Sequence, residues 1–180
     1  HEDTTRGIMS DVIIALLPAA VYGCILFGLK AILLLLTTVA VAVISEAVWN
    51  IALHKKQTIG DLSAVVTGLL LGMNLSSQVP LWIAAIGSVV AIIVVKQMFG
   101  GLGFNFANPA IAARIVLLVS FASHMTSYVS PIDAVSSPTP LADSTNVTLK
   151  QLFFGMHGGT IGETASFLLI IGGIYLVLRR

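Results

Sequence analysis

Two apolar runs, residues 12–29 and 31–53, stand back to back with only Lys30 between them. Each is long enough for a helix to cross a hydrocarbon layer about 30 Å thick, which takes about 20 residues at 1.5 Å of rise each. Inside lipid every backbone N–H and C=O must find its partner within the protein, so such runs fold as helices or as the strands of a closed barrel. Barrel strands alternate in polarity, and these do not. Shorter apolar runs recur along the rest of the chain, and only 9% of residues are charged, against about 25% in a water-soluble domain. The expected fold class is therefore all-α: a polytopic helical membrane protein of about six spans, some of them short or broken.

Taken in order, residues 1–10 are polar, and Ser10 or Asp11 is placed to cap a first span at 12–29. Pro18 inside it predicts a kink rather than an end, because neighbouring helices can make up the missing hydrogen bond. The second span, 31–53, carries Glu46. A carboxylate at that depth costs about 2.5 kcal/mol or more unless it is paired, protonated or wet. Glu46 is thus a candidate for an ion path, and equally a residue that reaches an interfacial partner beside Trp49.

After the basic cluster His54-Lys55-Lys56, Asp61 or Ser63 is placed to cap a third segment at 64–75. Pro80 suits the first turn of a fourth at 81–95, closed by Lys96. Both fall short of a full crossing, and short segments are how transporter-like folds place backbone dipoles at membrane depth. The glycine-rich stretch 99–107 then leads to Asn108-Pro109-Ala110 and a fifth span reaching 123. Helix starts of that kind expose N–H groups to an anion or a carbonyl oxygen. Arg114 lies inside the span and needs a carboxylate, a phosphate or a ring of carbonyls. No Lys-Ser/Thr follows the glycines, which excludes a nucleotide P-loop.

Residues 124–162 form the one long polar loop, with a short amphipathic piece at 149–156, and a sixth span follows at 164–178. Basic residues favour the cytoplasmic ends of spans. With about six crossings and the N-terminus inside, Arg6, Lys55, Lys56, Lys96, Arg179 and Arg180 all fall inside, and the loop falls outside. The organisation expected is a first transmembrane bundle at 1–123, an extracytoplasmic loop at 124–162, and a span at 163–180 that opens a second repeat.

Chemistry is scarce in the rest of the chain. The single cysteine, Cys24, excludes an internal disulfide and a cysteine-ligated iron–sulfur cluster built by this chain alone. His124 and His157 match no metal-ligand spacing, so no metal site is expected. Within the loop, Ser136-Ser137-Pro138-Thr139-Pro140 is by composition an ordinary Ser/Pro turn region.

Several stretches together resemble the RnfD family, the D-type membrane component of the Rnf ion-translocating electron transport complex, and its B-type relative in the Na⁺-translocating NADH:quinone reductase. They are Ala15-Leu16-Leu17-Pro18, Asn105-Phe106-Ala107-Asn108-Pro109-Ala110 with Arg114, Asp133-Ala134-Val135-Ser136-Ser137-Pro138-Thr139, and Gly162-Glu163-Thr164. In that family a flavin transferase joins FMN through its phosphate to a threonine preceded by Asp-x-x-Ser/Thr. The resemblance therefore implies covalent FMN on Thr139, with Asp133, Ser136 and Ser137 completing the motif and Pro138 standing in place of the usual alanine. It also implies flavin-binding roles for Asn108 and Arg114, and allows a second, noncovalent flavin.

The function implied is that of a multi-pass component of the cell membrane, relaying electrons at the outer face of a ferredoxin:NAD oxidoreductase. It would have no complete catalytic activity alone. Its implied partners are the other membrane and peripheral subunits, the transferase and the lipid bilayer, with no nucleic acid. Family members are longer and carry a second, related bundle, so the chain is expected to be the N-terminal part of a two-repeat bundle. The alternative from the residues is a small-solute channel or transporter built on the Asn108-Pro109-Ala110 half-helix. Channels of that design need two such half-helices, and one is present.

Overall fold

The computed structural model of the chain describes residues 4–131, 139–140, 148–164 and 166–179. The helices among the described residues include eight α-helices: α1 (Thr5–Phe27), α2 (Leu29–Ala52), α3 (Ser63–Met73), α4 (Leu81–Val89), α5 (Pro109–Ser120), α6 (Ala122–Met125), α7 (Leu149–Phe154) and α8 (Ser166–Arg179). A π-helical stretch, Val90–Gln97, carries α4 onward. By length and composition α1 and α2 can each cross a membrane, whereas α3, Leu81–Gln97, α5 and α8 are apolar but shorter.

Local chemistry sets the ends of these helices, sometimes elsewhere than the sequence suggests. α1 starts at Thr5, capped by the Thr4 hydroxyl accepting from Gly7 N–H, and it runs through Pro18. Asp11, expected as a cap, instead turns sideways to α8, where its carboxylate accepts from Tyr175 and pairs with Arg179. The turn expected at Lys30 is made two residues earlier by Gly28, whose φ of 71° suits glycine. At α3 neither expected residue is the cap: Leu62, in the left-handed region at φ 64°, holds that position without a side-chain bond, and Asp61 just ahead of it accepts from the backbone N–H of Ser63 at 2.8 Å. α7 coincides with the expected amphipathic piece and carries a capping box between Thr148 and Gln151.

α2 is the centre of the bundle, packed against α3, α4 and the π-helical stretch, while α1 holds α8. Small residues permit this closeness, as they do between helices in lipid. A Cβ on Gly68 would lie 2.7 Å from Val39 Cα, and one on Gly172 would lie 2.3 Å from the Ala15 carbonyl oxygen. The core is Ala19, Ala20, Ala31, Leu34, Leu71, Ile83, Ala113 and Leu117 with their neighbours. Outside it Ile25, Leu29, Leu36, Ile44, Val48 and Ile51 face away from the protein. An apolar surface that extensive is unsuited to water and suits lipid or further protein.

α3 is a broken element with a purpose in the packing. Beyond Met73 the chain turns, and its carbonyls are taken up by the segment ahead of α8: Gly162 N–H donates to Met73 at 2.8 Å and Ile161 N–H to Leu75 at 3.1 Å. Thr160, Ile161 and Thr164 are buried by this arrangement.

Candidate functional site

Of the loop motif, Thr139 and Pro140 are described, while Asp133, Ser136 and Ser137 lie outside the described residues. Thr139 sits in non-helical backbone and is partly exposed. Thr148, the described threonine nearest to it in sequence, is committed to the α7 cap, where its hydroxyl both accepts from Gln151 N–H and donates to the Gln151 side chain.

Asn108 and Arg114 are placed by α5. Asn108 is its N-cap, and Oδ1 accepts from the backbone N–H groups of Ala110 and Ile111 at 3.0 and 3.3 Å. Those donors, which the sequence offers to an anion, are thereby satisfied from within. Pro109 follows at the first turn, where its missing N–H removes no bond. Arg114 reaches across to α3: Nη1 donates to Asn74 Oδ1 at 3.1 Å and lies 3.6 Å from Glu163 Oε1. Asn74 is itself fixed by donating to the Leu70 carbonyl. The guanidinium thus ties α5, the broken end of α3 and the lead-in to α8 together, and stays about a third exposed at 32%.

The most heavily charged interior lies at the other end of the bundle. Glu46, 0% exposed on α2, meets Lys96, 1% exposed on the π-helical stretch. Lys96 Nζ stands 3.1 and 3.0 Å from the two carboxylate oxygens and donates to Ser63 Oγ at 2.5 Å. Glu46 Oε1 also accepts from Gln97 Nε2 at 2.9 Å and from the Thr58 hydroxyl. Asn50 donates to Thr58, and the Ser63 hydroxyl donates to Asp61. Every group in the network has a partner, which is the condition under which a buried pair is tolerable. A cleft of about 270 Å³ reaches this network from outside, with Glu46, Asn50, Thr58, Asp61 and Gln97 in its walls.

The sequence singled out Glu46 but not its partner. Lys96 reads as the basic residue closing the fourth span, whereas the structure folds it inward. The signal that could have found it was the cost of an unpaired carboxylate in an apolar run, which obliges a cation from some other run to meet it. Trp49 is half-buried on the same helix, with its indole N–H enclosed. His124 and His157 are not brought together with other ligating groups, and no cluster of three or more His, Cys, Asp or Glu forms among the described residues.

With this geometry in place, comparison with known proteins gives one consistent result. The NQR2, RnfD, RnfE family model matches residues 1–180. The chain is 48% identical over 186 residues to the D-type subunit of the Na(+)-translocating ferredoxin:NAD(+) oxidoreductase complex of Acetobacterium woodii, an alignment covering 98% of this chain and 58% of that protein. It is 37% identical over 197 residues to the D-type subunit of the proton-translocating ferredoxin:NAD(+) oxidoreductase complex of Clostridium ljungdahlii, covering 99% of this chain and 60% of that one. The corresponding subunit of an ion-translocating oxidoreductase complex from Shewanella sediminis matches at 38% over 159 residues, 87% of this chain and 44% of the relative. The chain therefore spans less than two thirds of the length of these relatives.

Proposed function

The chain belongs to the NQR2, RnfD, RnfE family, and from that premise we propose that it is the flavin-bearing part of the D-type subunit in an ion-translocating ferredoxin:NAD oxidoreductase complex of the cell membrane. The observation that carries this reading is the 48% identity to such a protein across 98% of the chain. Its partners are the other membrane and peripheral subunits, and a flavin transferase during maturation.

In this reading Thr139 holds FMN through a phosphoester, and Asp133, Ser136 and Ser137 present the threonine to the transferase. Bound FMN supplies one- and two-electron redox chemistry, and the protein supplies position and field. Arg114 offers a cation at the broken end of α3, and Asn108 fixes the helix start from which Arg114 projects. Glu46 contributes to ion movement. About six crossings with a cytoplasmic N-terminus put residues 124–162 on the outer face, by the placement of basic residues at the opposite ends of the spans.

The test is direct. The protein, purified from its complex and run on a denaturing gel, should fluoresce as a flavoprotein. Peptide mass spectrometry should place an FMN adduct on the peptide containing Thr139, and Thr139→Ala should lose both signals. A fluorescent Thr139→Ala variant, or a non-fluorescent wild type, would sink the assignment.

A further inference from the structure

We propose that Glu46 is a one-charge exchange site at which the Lys96 ammonium and a monovalent cation, arriving through the adjoining cleft, alternate. The inference rests on the reading of the chain as part of an ion-translocating complex and adds to it the device by which the carboxylate is closed and opened.

Glu46 is fully enclosed, and its cationic partner at contact distance is Lys96. If the ammonium leaves and nothing replaces it, a bare carboxylate remains in a low-dielectric interior, a state strongly disfavoured relative to the pair. Departure of Lys96 is therefore coupled to arrival of another positive charge. The reverse holds too, since two cations on one carboxylate are equally disfavoured. The site keeps its net charge while its occupant changes.

The surroundings are those of a cation site. Around Nζ stand both Glu46 oxygens and Ser63 Oγ, at 2.5–3.1 Å. The Thr58 hydroxyl and the Gln97 amide nitrogen donate to Glu46 Oε1. With the ammonium gone, both carboxylate oxygens and the Ser63 hydroxyl oxygen remain around its place, and anionic and neutral oxygens are what a hard cation prefers. Glu46, Thr58 and Gln97 are themselves among the residues that line the cleft. Its lining also includes Lys55 and Lys56 as well as Asp61. The charge of its walls therefore does not accumulate cations, and loading depends on the exchange at Glu46.

The backbone supplies the movable part. Lys96 is the last residue but one of the π-helical stretch, whose closing bond, Met98 N–H to Ile93, spans five residues, and a second such bond, Gly101 N–H to Lys96, follows it. Such turns are rare and gather at functional sites. Rewinding to α a π turn of this stretch that precedes Lys96 shifts the residues beyond it by about 100° around the axis, which takes Lys96 off Glu46. Gly100 and Gly101, at φ of 114° and 96°, follow closely and absorb such a change without side-chain strain.

The experiment is carbodiimide labelling of the full-length protein within its membrane complex, using dicyclohexylcarbodiimide, an apolar reagent for enclosed carboxyls. The adduct is located by peptide mass spectrometry. In sodium chloride, compared with choline chloride at equal ionic strength, labelling of Glu46 in the wild type should slow by about threefold or more as sodium saturates the site. Lys96→Met should label faster than wild type and remain protected by sodium. Labelling that ignores sodium would mean the carboxyl exchanges with protons alone and would overturn the proposal. So would a wild-type Glu46 that never labels, since the ammonium then never leaves. The wild-type result decides even if Lys96→Met fails to assemble. The flavin adduct on Thr139 reports separately on the functional reading, so the two fail independently.

Discussion

The backbone N–H of Gly162 meets the carbonyl of Met73 at 2.8 Å, joining the broken end of α3 to the segment that leads into α8. Away from water an unmatched carbonyl costs several kcal/mol, so a helix that stops early needs a donor from elsewhere. Glycine is required at the contact. A Cβ on residue 162 would lie 2.7 Å from Met73 Cβ and 3.2 Å from the very oxygen being bonded. Gly162→Ala should therefore destabilise the folded protein by about 1–3 kcal/mol, the usual cost of overpacking. Gly60→Ala, with nothing within 4 Å of the new atom, should stay within about 0.5 kcal/mol of wild type. Thermal melts in detergent compare the two.

Adjacent glycines on α8 should respond differently. Gly172 packs on the Ala15 carbonyl, 2.3 Å from where its Cβ would be, whereas Gly173 faces open space. Gly172→Ala should separate α8 from α1 and lower stability by about 1–3 kcal/mol. Gly173→Ala should be neutral or stabilise by up to about 1 kcal/mol through helix propensity. Crosslinking yield between cysteines placed on α1 and α8 gives a second measure, falling only for the first variant.

Much of this fold is legible in the sequence. Asn108-Pro109 announces α5, and the two long apolar runs become α1 and α2, because caps and hydrophobic length act locally. The errors occur where a residue answers to a distant one. Asp11 looks like a helix cap and instead serves Tyr175 and Arg179 on α8. Lys96 looks like a terminal snorkelling cation and instead meets a carboxylate 50 positions earlier in the chain. A π turn carries no compositional mark, so the inward turn of Lys96 is invisible to periodicity. The candidate site divides the same way. Thr139 is proposed from its motif alone and Glu46 is singled out by its cost, whereas Thr58, Ser63 and Gln97 are ordinary polar residues until the fold gathers them around Glu46.

The buried pair yields a non-additive pair of mutations. Glu46→Gln leaves the Lys96 ammonium enclosed without a counter-charge and should cost about 3–5 kcal/mol. Adding Lys96→Met removes the stranded charge and fills similar volume, and should recover most of that loss. Chemical denaturation of the single and double variants measures the coupling. Purely additive losses would mean that Lys96 is held by its other contacts rather than by the carboxylate.

Arg114 has two partners, and exposure decides which one matters. Glu163 is 58% exposed and sits 3.6 Å away, the setting in which ion pairs contribute about 0–1 kcal/mol because water screens them. Asn74 receives a hydrogen bond at 3.1 Å from the same guanidinium and is already pinned to Leu70. Its oxygen is left unmatched when the arginine goes, and hydrogen bonds to a charged donor are worth about 1.5–3 kcal/mol. Glu163→Gln should consequently be nearly silent in a denaturation experiment, while Arg114→Leu should lose about 1.5–3 kcal/mol. Arg114→Lys should fall between, because an ammonium can approach Asn74 but lacks the planar fork that addresses both partners at once. A Glu163→Gln loss as large as that of Arg114→Leu would instead make the ion pair the tie that holds α5 to the lead-in of α8.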